Sequence, residues 1–295
     1  MDTKRVSAIK TTHAQHWVGD GFPVRSIFGY TDNAEARSPF LLMDYAGPYE
    51  FSSTSEQRGV GPHPHRGFET VTLLYAGGVS HRDSAGGGGT LGPGDVQWMT
   101  AGSGVLHTEF HSPEFSRAGG SFEAIQLWIN LPAAFKMSPP RYQEIPSATI
   151  PKVPLPDSSG FIRVIAGEYN GIRGPAETFT PMDLWDVSTR AGHQTALAAR
   201  TNRSAALFVL EGRLRLSGGE VAGSATLVLL TEQGAGILFE TLEDARILFM
   251  CGDAIPEPIV GHGPFVMNSE SEIREALEDW KSGRFGEMPS ITTET

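Results

Sequence analysis

Cysteine occurs once in the 295 residues, at Cys251, so the chain can form no internal disulfide. No stretch approaches the roughly 18–20 consecutive apolar residues of a membrane helix, and no membrane span is expected. Lys and Arg are neither abundant nor clustered: they number 23 against 34 Asp and Glu, a formal net charge of −11. So acidic a chain repels phosphate backbones, which argues against direct nucleic-acid binding. Met1 to Trp17 mixes charged and polar residues and lacks the apolar stretch of a signal peptide, so a cytoplasmic protein is expected. No Gly-x-Ser-x-Gly or Ser-His-Asp arrangement is evident. The four glycines Gly86–Gly89 are followed by no Lys-Ser/Thr, so they read as a hairpin tip and not as a phosphate loop.

What is present is turn chemistry. Glycine (35) and proline (20) are spread along the chain between short runs rich in Val, Leu, Ile and aromatics. Phe68–Tyr75, Ala124–Asn130, Ala205–Leu210, Ala225–Leu230 and Arg246–Met250 are such runs, each predicted as a strand. Helical periodicity is clear only near the end, where Ile273, Ala276, Leu277 and Trp280 follow i, i+3, i+4, i+7. Ser269 with Glu272 forms a capping box before it, and Gly283 follows as a stop signal. The fold class is therefore all-β, with one short C-terminal helix packed on a sheet. Residues 139–156 carry six prolines and read as a connector between an N-terminal domain (1–138) and a C-terminal domain (157–295).

The halves resemble each other. Thr72-Leu-Leu-Tyr-Ala-Gly-Gly-Val79 parallels Leu207-Phe-Val-Leu-Glu-Gly-Arg-Leu214, and Gly102-Ser-Gly-Val-Leu-His107 parallels Gly234-Ala-Gly-Ile-Leu-Phe239. The offsets, 135 and 132, suggest two similar β-barrels in tandem, each with its own core. Two lobes that pack on each other need no second chain, so a monomer is expected.

Two motifs carry chemistry: His63-Pro-His65 and His107-Thr-Glu109. On a strand, i and i+2 point to the same face, so two adjacent strands could aim four donors at one point. Three neutral imidazoles and a carboxylate suit one divalent transition metal: Fe, Mn, Ni, Cu, Co or Zn. By the two offsets, the second half carries Ala198, Arg200, Phe239 and Thr241 at these positions, which predicts a metal-free lobe. Glu69 has the parity to share the His63/His65 face, as a further ligand, a support for the ligands, or a plain strand residue. His81, His111 and His193 read as surface or pocket-edge residues, His13 and His16 as a solvated edge, and Cys251 as buried.

His63-Pro-His-Arg-Gly-Phe-Glu-Thr70 and Pro93-Gly-Asp-Val-Gln-Trp-Met-Thr-Ala-Gly-Ser-Gly-Val-Leu-His-Thr-Glu109 resemble the signature segments of the pirin family, within the cupin superfamily. Gln126-Leu-Trp-Ile-Asn-Leu131, Gly263-Pro-Phe-Val-Met-Asn268 and Gly283-Arg-Phe-Gly286 are similar to further pirin segments. The resemblance implies two tandem jelly-roll barrels (a bicupin) with one metal, usually Fe(II), in the N-terminal lobe on His63, His65, His107 and Glu109. General cupins often use a Glu at the place of Glu69, whereas pirins use the later one. The resemblance further implies either of two functions. One is a dioxygenase of the quercetin 2,4-dioxygenase type, in which Glu109 or Glu69 takes the flavonol's 3-hydroxyl proton before dioxygen attacks the ring, with release of carbon monoxide. The other is a metal-dependent redox sensor that binds a regulatory protein partner.

Overall fold

The computed structural model describes residues 2–289. Strands dominate, as the turn-punctuated sequence predicts, and they form two jelly-roll barrels. None of the described helices is long and apolar enough to cross a membrane.

The barrel holding the two motifs is built of a four-stranded and a seven-stranded sheet. The four-stranded sheet runs in the order Gly59–His65, Val105–His111, Val79–Asp83, Gly88–Leu91. The seven-stranded sheet runs Arg141–Ile145, Val96–Thr100, Phe68–Ala76, Gly120–Asn130, Phe40–Phe51, Phe22–Phe28, His16–Val18. Every pairing is antiparallel. Part of the core forms where the inner faces meet: Val79 and Leu91 of the smaller sheet pack with Val24, Leu74, Phe122 and Ala124 of the larger. Burial of such side chains, about 1.5–3 kcal/mol each for the larger ones, is what drives the sheets together.

The other barrel is one nine-stranded sheet. Its long strand Gly236–Gly252 pairs with Gln194–Ala198 at its start and with Met182–Thr189 along its second half, while Ser204–Leu216 follows it on its other edge. Trp185, Leu207, Phe239, Ile247 and Phe249 fill this core, and Cys251 is buried as expected.

The compact units differ from the linear division 1–138 and 157–295. One unit comprises Met1–His13, Glu35–Pro39 and Ala148–Ile255; the other comprises Ala14–Ala34, Phe40–Ser147 and the chain from Pro256 onward. Backbone pairing explains the exchange. Val6–Thr11 adds a strand to Thr226–Leu230, and the buried Lys4 ammonium donates to the carbonyls of Arg203, Thr231 and Glu232. The C-terminal helix belongs with the motif-bearing barrel, not with the domain before it in sequence. The Pro-rich stretch is not a bare connector either: Arg141–Ile145 extends one sheet and Lys152–Pro154 the other.

The helix itself runs Glu270–Lys281, capped by Ser269, whose hydroxyl accepts from the Glu272 amide. Ile273 and Ala276 are buried against Phe265, Met267 and Phe285 of the same unit, with Leu277 partly buried. Trp280 is left exposed, at the rim of that cluster. A second short helix, Pro113–Ala118, was not legible from periodicity; Ser112 caps it and Pro113 occupies its first turn.

Candidate metal centre

The antiparallel register aligns the chemistry. His63 lies directly opposite His107, and His65 opposite Val105. On the other side of the central strand, Asp83 faces His107 and His81 faces Glu109. Directly opposed residues point to the same face of a sheet, so two rows of donors line one wall. An irregularity in the pairing between His107 and Glu109 sets Glu109 opposite Val60.

Three of the four expected ligands meet. His63, His65 and His107 bring one nitrogen each within 4.8 Å of one another. Glu109 lies in a neighbouring group, with His107 and His81, within the same limit. His107 is therefore the shared corner of two donor triangles. The Glu109 carboxylate is half-buried and accepts from Thr72 Oγ1 at 3.4 Å.

The trio presents lone pairs. His63 Nδ1 lies 2.9 Å from the Gly61 carbonyl and His65 Nδ1 lies 3.4 Å from the Pro264 carbonyl. A carbonyl only accepts, so in both rings the proton sits on Nδ1 and Nε2 is free. His107 Nδ1 is 3.3 Å from His81 Nδ1, and His107 Nε2 is buried with no hydrogen-bond partner. A buried imidazole nitrogen without a partner is costly, and a cation at the focus of the trio would relieve it. Burial, then the proximity of His63, holds His65 and His107 well below the usual imidazole range, so both are neutral near pH 7. Neutral imidazole is the form that binds metal. The donor set therefore fits a divalent transition metal.

Glu69 does not share this face. Its carboxylate accepts from Thr100 Oγ1 at 2.7 Å and belongs to neither donor group. Alternation along Phe68–Ala76 is read from Thr72, whose hydroxyl reaches Glu109 and Gln126 inside the barrel; Glu69 takes the opposite parity. Counting from His65 fails because Arg66 and Gly67 interrupt the strand. Gly67 has φ +89, and a Cβ there would lie 2.1 Å from the Val266 carbonyl oxygen, so only glycine fits.

His81 is the residue that sequence reasoning missed. It is 1% exposed, not at a surface. Its ring stacks on Tyr142 at 5.1 Å and lies 5.0 Å from the His107 ring. Only the strand register reveals this, because His81-Arg82-Asp83 has the alternation of any half-buried strand. His111 is buried too, with its Nε2 2.9 Å from the Gly21 carbonyl and its ring stacked on Phe122, which makes it a core residue. His13 and His16 are exposed and His193 is half-buried.

A cavity of about 70 Å³ adjoins Glu109, walled by Val18, Phe22, Phe122 and Ala124, with Thr72, Gln126 and Asp44 as its polar groups. On the other side, His65 packs edge-on against Phe68 and Trp128, ring centroids 5.1 Å away.

The pairing also corrects the correspondence between the halves. In the other barrel, Phe239 opposes Thr195 and Ile237 opposes Leu197. With His107 matched to Phe239, the partners of His63 and His65 are thus Thr195 and Leu197. Ala198 and Arg200, expected from the 135 offset, are both exposed.

The sequence pattern of the Pirin family matches residues 21–129, and that of the pirin C-terminal cupin domain matches residues 184–286. The chain belongs to the pirin family. Among pirin relatives and related structures, a Pseudomonas aeruginosa protein provisionally named quercetin 2,3-dioxygenase is 50% identical over 96% of this chain and 98% of its own. Pirin-1 of Arabidopsis thaliana is 36% identical over 91% of this chain and 90% of its own. A crystal structure of quercetin 2,3-dioxygenase from Acinetobacter baumannii superposes with a TM-score of 0.94 at 48% identity, covering 96% of this chain and 99% of that one.

Proposed function

We propose that this pirin is a metal-dependent dioxygenase that cleaves flavonols such as quercetin. His63, His65, His107 and Glu109 would hold one divalent transition metal, with Fe(II) the ion best suited to dioxygen chemistry. The observation that carries the reading is the convergence of three imidazoles, one with a buried and unpartnered Nε2, beside a carboxylate that lines a cavity. The names borne by relatives that match nearly the whole chain support the substrate class. A metal held by this set supplies Lewis acidity toward the 3-hydroxyl and neighbouring carbonyl of the flavonol, and a redox partner for dioxygen.

The chain's own residues do the rest. Glu109 accepts the 3-hydroxyl proton as general base. The single Thr72 hydroxyl proton is shared between Glu109 Oε1 at 3.4 Å and Gln126 Oε1 at 3.0 Å, which orients the carboxylate toward the cavity. Val18, Phe22 and Phe122 exclude water from the anion so formed. About 70 Å³ is well below the roughly 300–1,000 Å³ of ordinary ligand pockets, so a flavonol enters only as part of this wall moves aside.

The test is direct. Protein loaded with iron is mixed with quercetin under air, and loss of flavonol absorbance is followed with oxygen uptake. Turnover is expected, and it is expected to vanish in His63→Ala, which loses the metal. Glu109→Gln is expected to lower kcat by at least 100-fold, within the range for a lost general base. Iron-loaded protein that leaves quercetin intact would overturn the enzymatic reading and leave the redox-sensing, partner-binding one.

A further inference from the structure

We propose that His81 is a positioning residue: it accepts the Nδ1 proton of His107 and so turns the His107 Nε2 lone pair toward His63 and His65. The inference rests on the metal reading above and concerns how the third imidazole is set.

His63 and His65 lean on carbonyls, which dictate their tautomers. His107 has no carbonyl. Its Nδ1 meets another imidazole nitrogen, His81 Nδ1, at 3.3 Å. Two ring nitrogens so placed share one proton, and either could carry it. The choice is made one step away. His81 Nε2 faces Asp83 Oδ2 at 3.5 Å. An ionised carboxylate only accepts, so His81 Nε2 carries a proton toward Asp83, and in the neutral form of the ring Nδ1 is then the acceptor. The Gln97 side-chain amide lies 2.9 Å from that same Nδ1, so the one lone pair of Nδ1 is shared between Gln97 and His107. His107 then carries its proton on Nδ1, and its buried Nε2 is a bare lone pair.

Asp83 is fixed in turn by the glycine-rich tip. Its Oδ1 accepts from the amides of Ala85 (2.9 Å) and Gly87 (2.8 Å), which leaves Oδ2 for His81. A Cβ at Gly87 would lie 2.4 Å from Asp83 Oδ2, so this close wrapping needs glycine. The hairpin tip thus braces a line of three side chains that ends at the metal centre.

His81's hydrogen bonds also set it apart from the ligands. His81 shares a donor group with His107 and Glu109. Yet its Nε2 is turned to Asp83, and the lone pair of its Nδ1 is shared between Gln97 and His107. No lone pair of His81 remains for a cation.

The decisive variant is Asp83→Asn, nearly isosteric. Its Oδ1 can still accept from the loop amides, but its Nδ2 now donates to His81 Nε2. That reverses the line: His81 becomes the donor at Nδ1, and the His107 proton moves to Nε2. His81→Leu removes the acceptor altogether, and His81→Asn restores one near the Nδ1 position. Two measurements read the outcome. Imidazole ¹⁵N shifts of the metal-free protein report the His107 tautomer with no metal involved. Competition with a chelator gives the affinity for Co(II). Wild type is expected to show His107 protonated at Nδ1. Asp83→Asn and His81→Leu are expected to lose that tautomer and to bind Co(II) about 10–100-fold more weakly, with His81→Asn within about threefold of wild type. Melting temperatures of the metal-free proteins distinguish this from unfolding, and should Leu prove disruptive, Asp83→Asn carries the test. An unchanged His107 tautomer in Asp83→Asn overturns the inference. Wild type with the expected tautomer but no Co(II) binding would instead overturn the metal reading.

Discussion

Two carboxylates stand out in the sequence near the histidine motifs, and their surroundings give them different chemistry. Glu109 faces the cavity, whereas Glu69 is enclosed on the opposite face of its strand. Burial raises the Glu69 carboxyl from its ordinary 4.5 to about 7, although hydrogen bonds from Thr100 and Trp98 and the charge of Arg141 act the other way. The folded protein therefore binds this proton more tightly than the unfolded chain. The stability that Glu69 contributes is fully present below about pH 4.5 and is lost as pH rises through 7, a swing of about 3 kcal/mol. Glu69→Gln has no such proton to lose. Denaturant unfolding at pH 5 and pH 8 is expected to show the variant gaining roughly 2–3 kcal/mol on wild type across that interval. At this scale the sequence exposed the ligands and hid their supports. The His-x-His and His-x-Glu spacing is legible because it is a same-face pattern along one strand. His81 and Asp83 share one strand at i, i+2, but they meet His107 only across strands, and no spacing along the chain encodes that contact.

Among elements, the strands were legible because turn residues punctuate them, but the register was not. One example is the three-residue strand His16–Val18, which pairs on one side only, with Phe22–Phe28. Its Val18, with Phe22, lines the cavity beside Glu109 at this edge of the sheet. Phe22→Ala is expected to widen that cavity and lower the KM for quercetin several-fold, with kcat falling as water reaches the anion, as steady-state kinetics would show. The C-terminal segment matters as much. Its Pro264 carbonyl fixes His65, and Asp279 of its helix pairs with buried Arg66 at 2.6 Å. Asp279→Ala leaves that guanidinium buried without its carboxylate and is expected to cost about 3 kcal/mol, measurable by urea denaturation. Lys136 is a second tie, donating to Gly67, Asn130 and Val266. Neither attachment follows from helical periodicity, which specifies that a face is buried and not what covers it.

For the whole molecule, internal similarity revealed two barrels because both keep the same strand and turn pattern. It misaligned them by three residues, because a loop shifts the sequence offset while the hydrogen-bonded register does not follow it. With Thr195, Leu197, Phe239 and Thr241 standing at the four ligand positions, elemental analysis of protein from its native host is expected to find one metal per chain. His63→Ala is expected to reduce that to none, with no residual ion in the other barrel.

The exchange of terminal segments has a consequence for synthesis. When the ribosome has made everything up to Ile255, the barrel with the histidines still lacks the carbonyl of Pro264 and the partner of Arg66, while the opening strand Val6–Thr11 has waited for Thr226–Leu230 to emerge before it could pair. Assembly of the motif-bearing barrel thus waits for a segment translated after the strands of the other barrel. Nascent chains stalled at Ile255 should remain open to protease around His63, and protection there should arise only once the segment through Phe285 has cleared the exit tunnel.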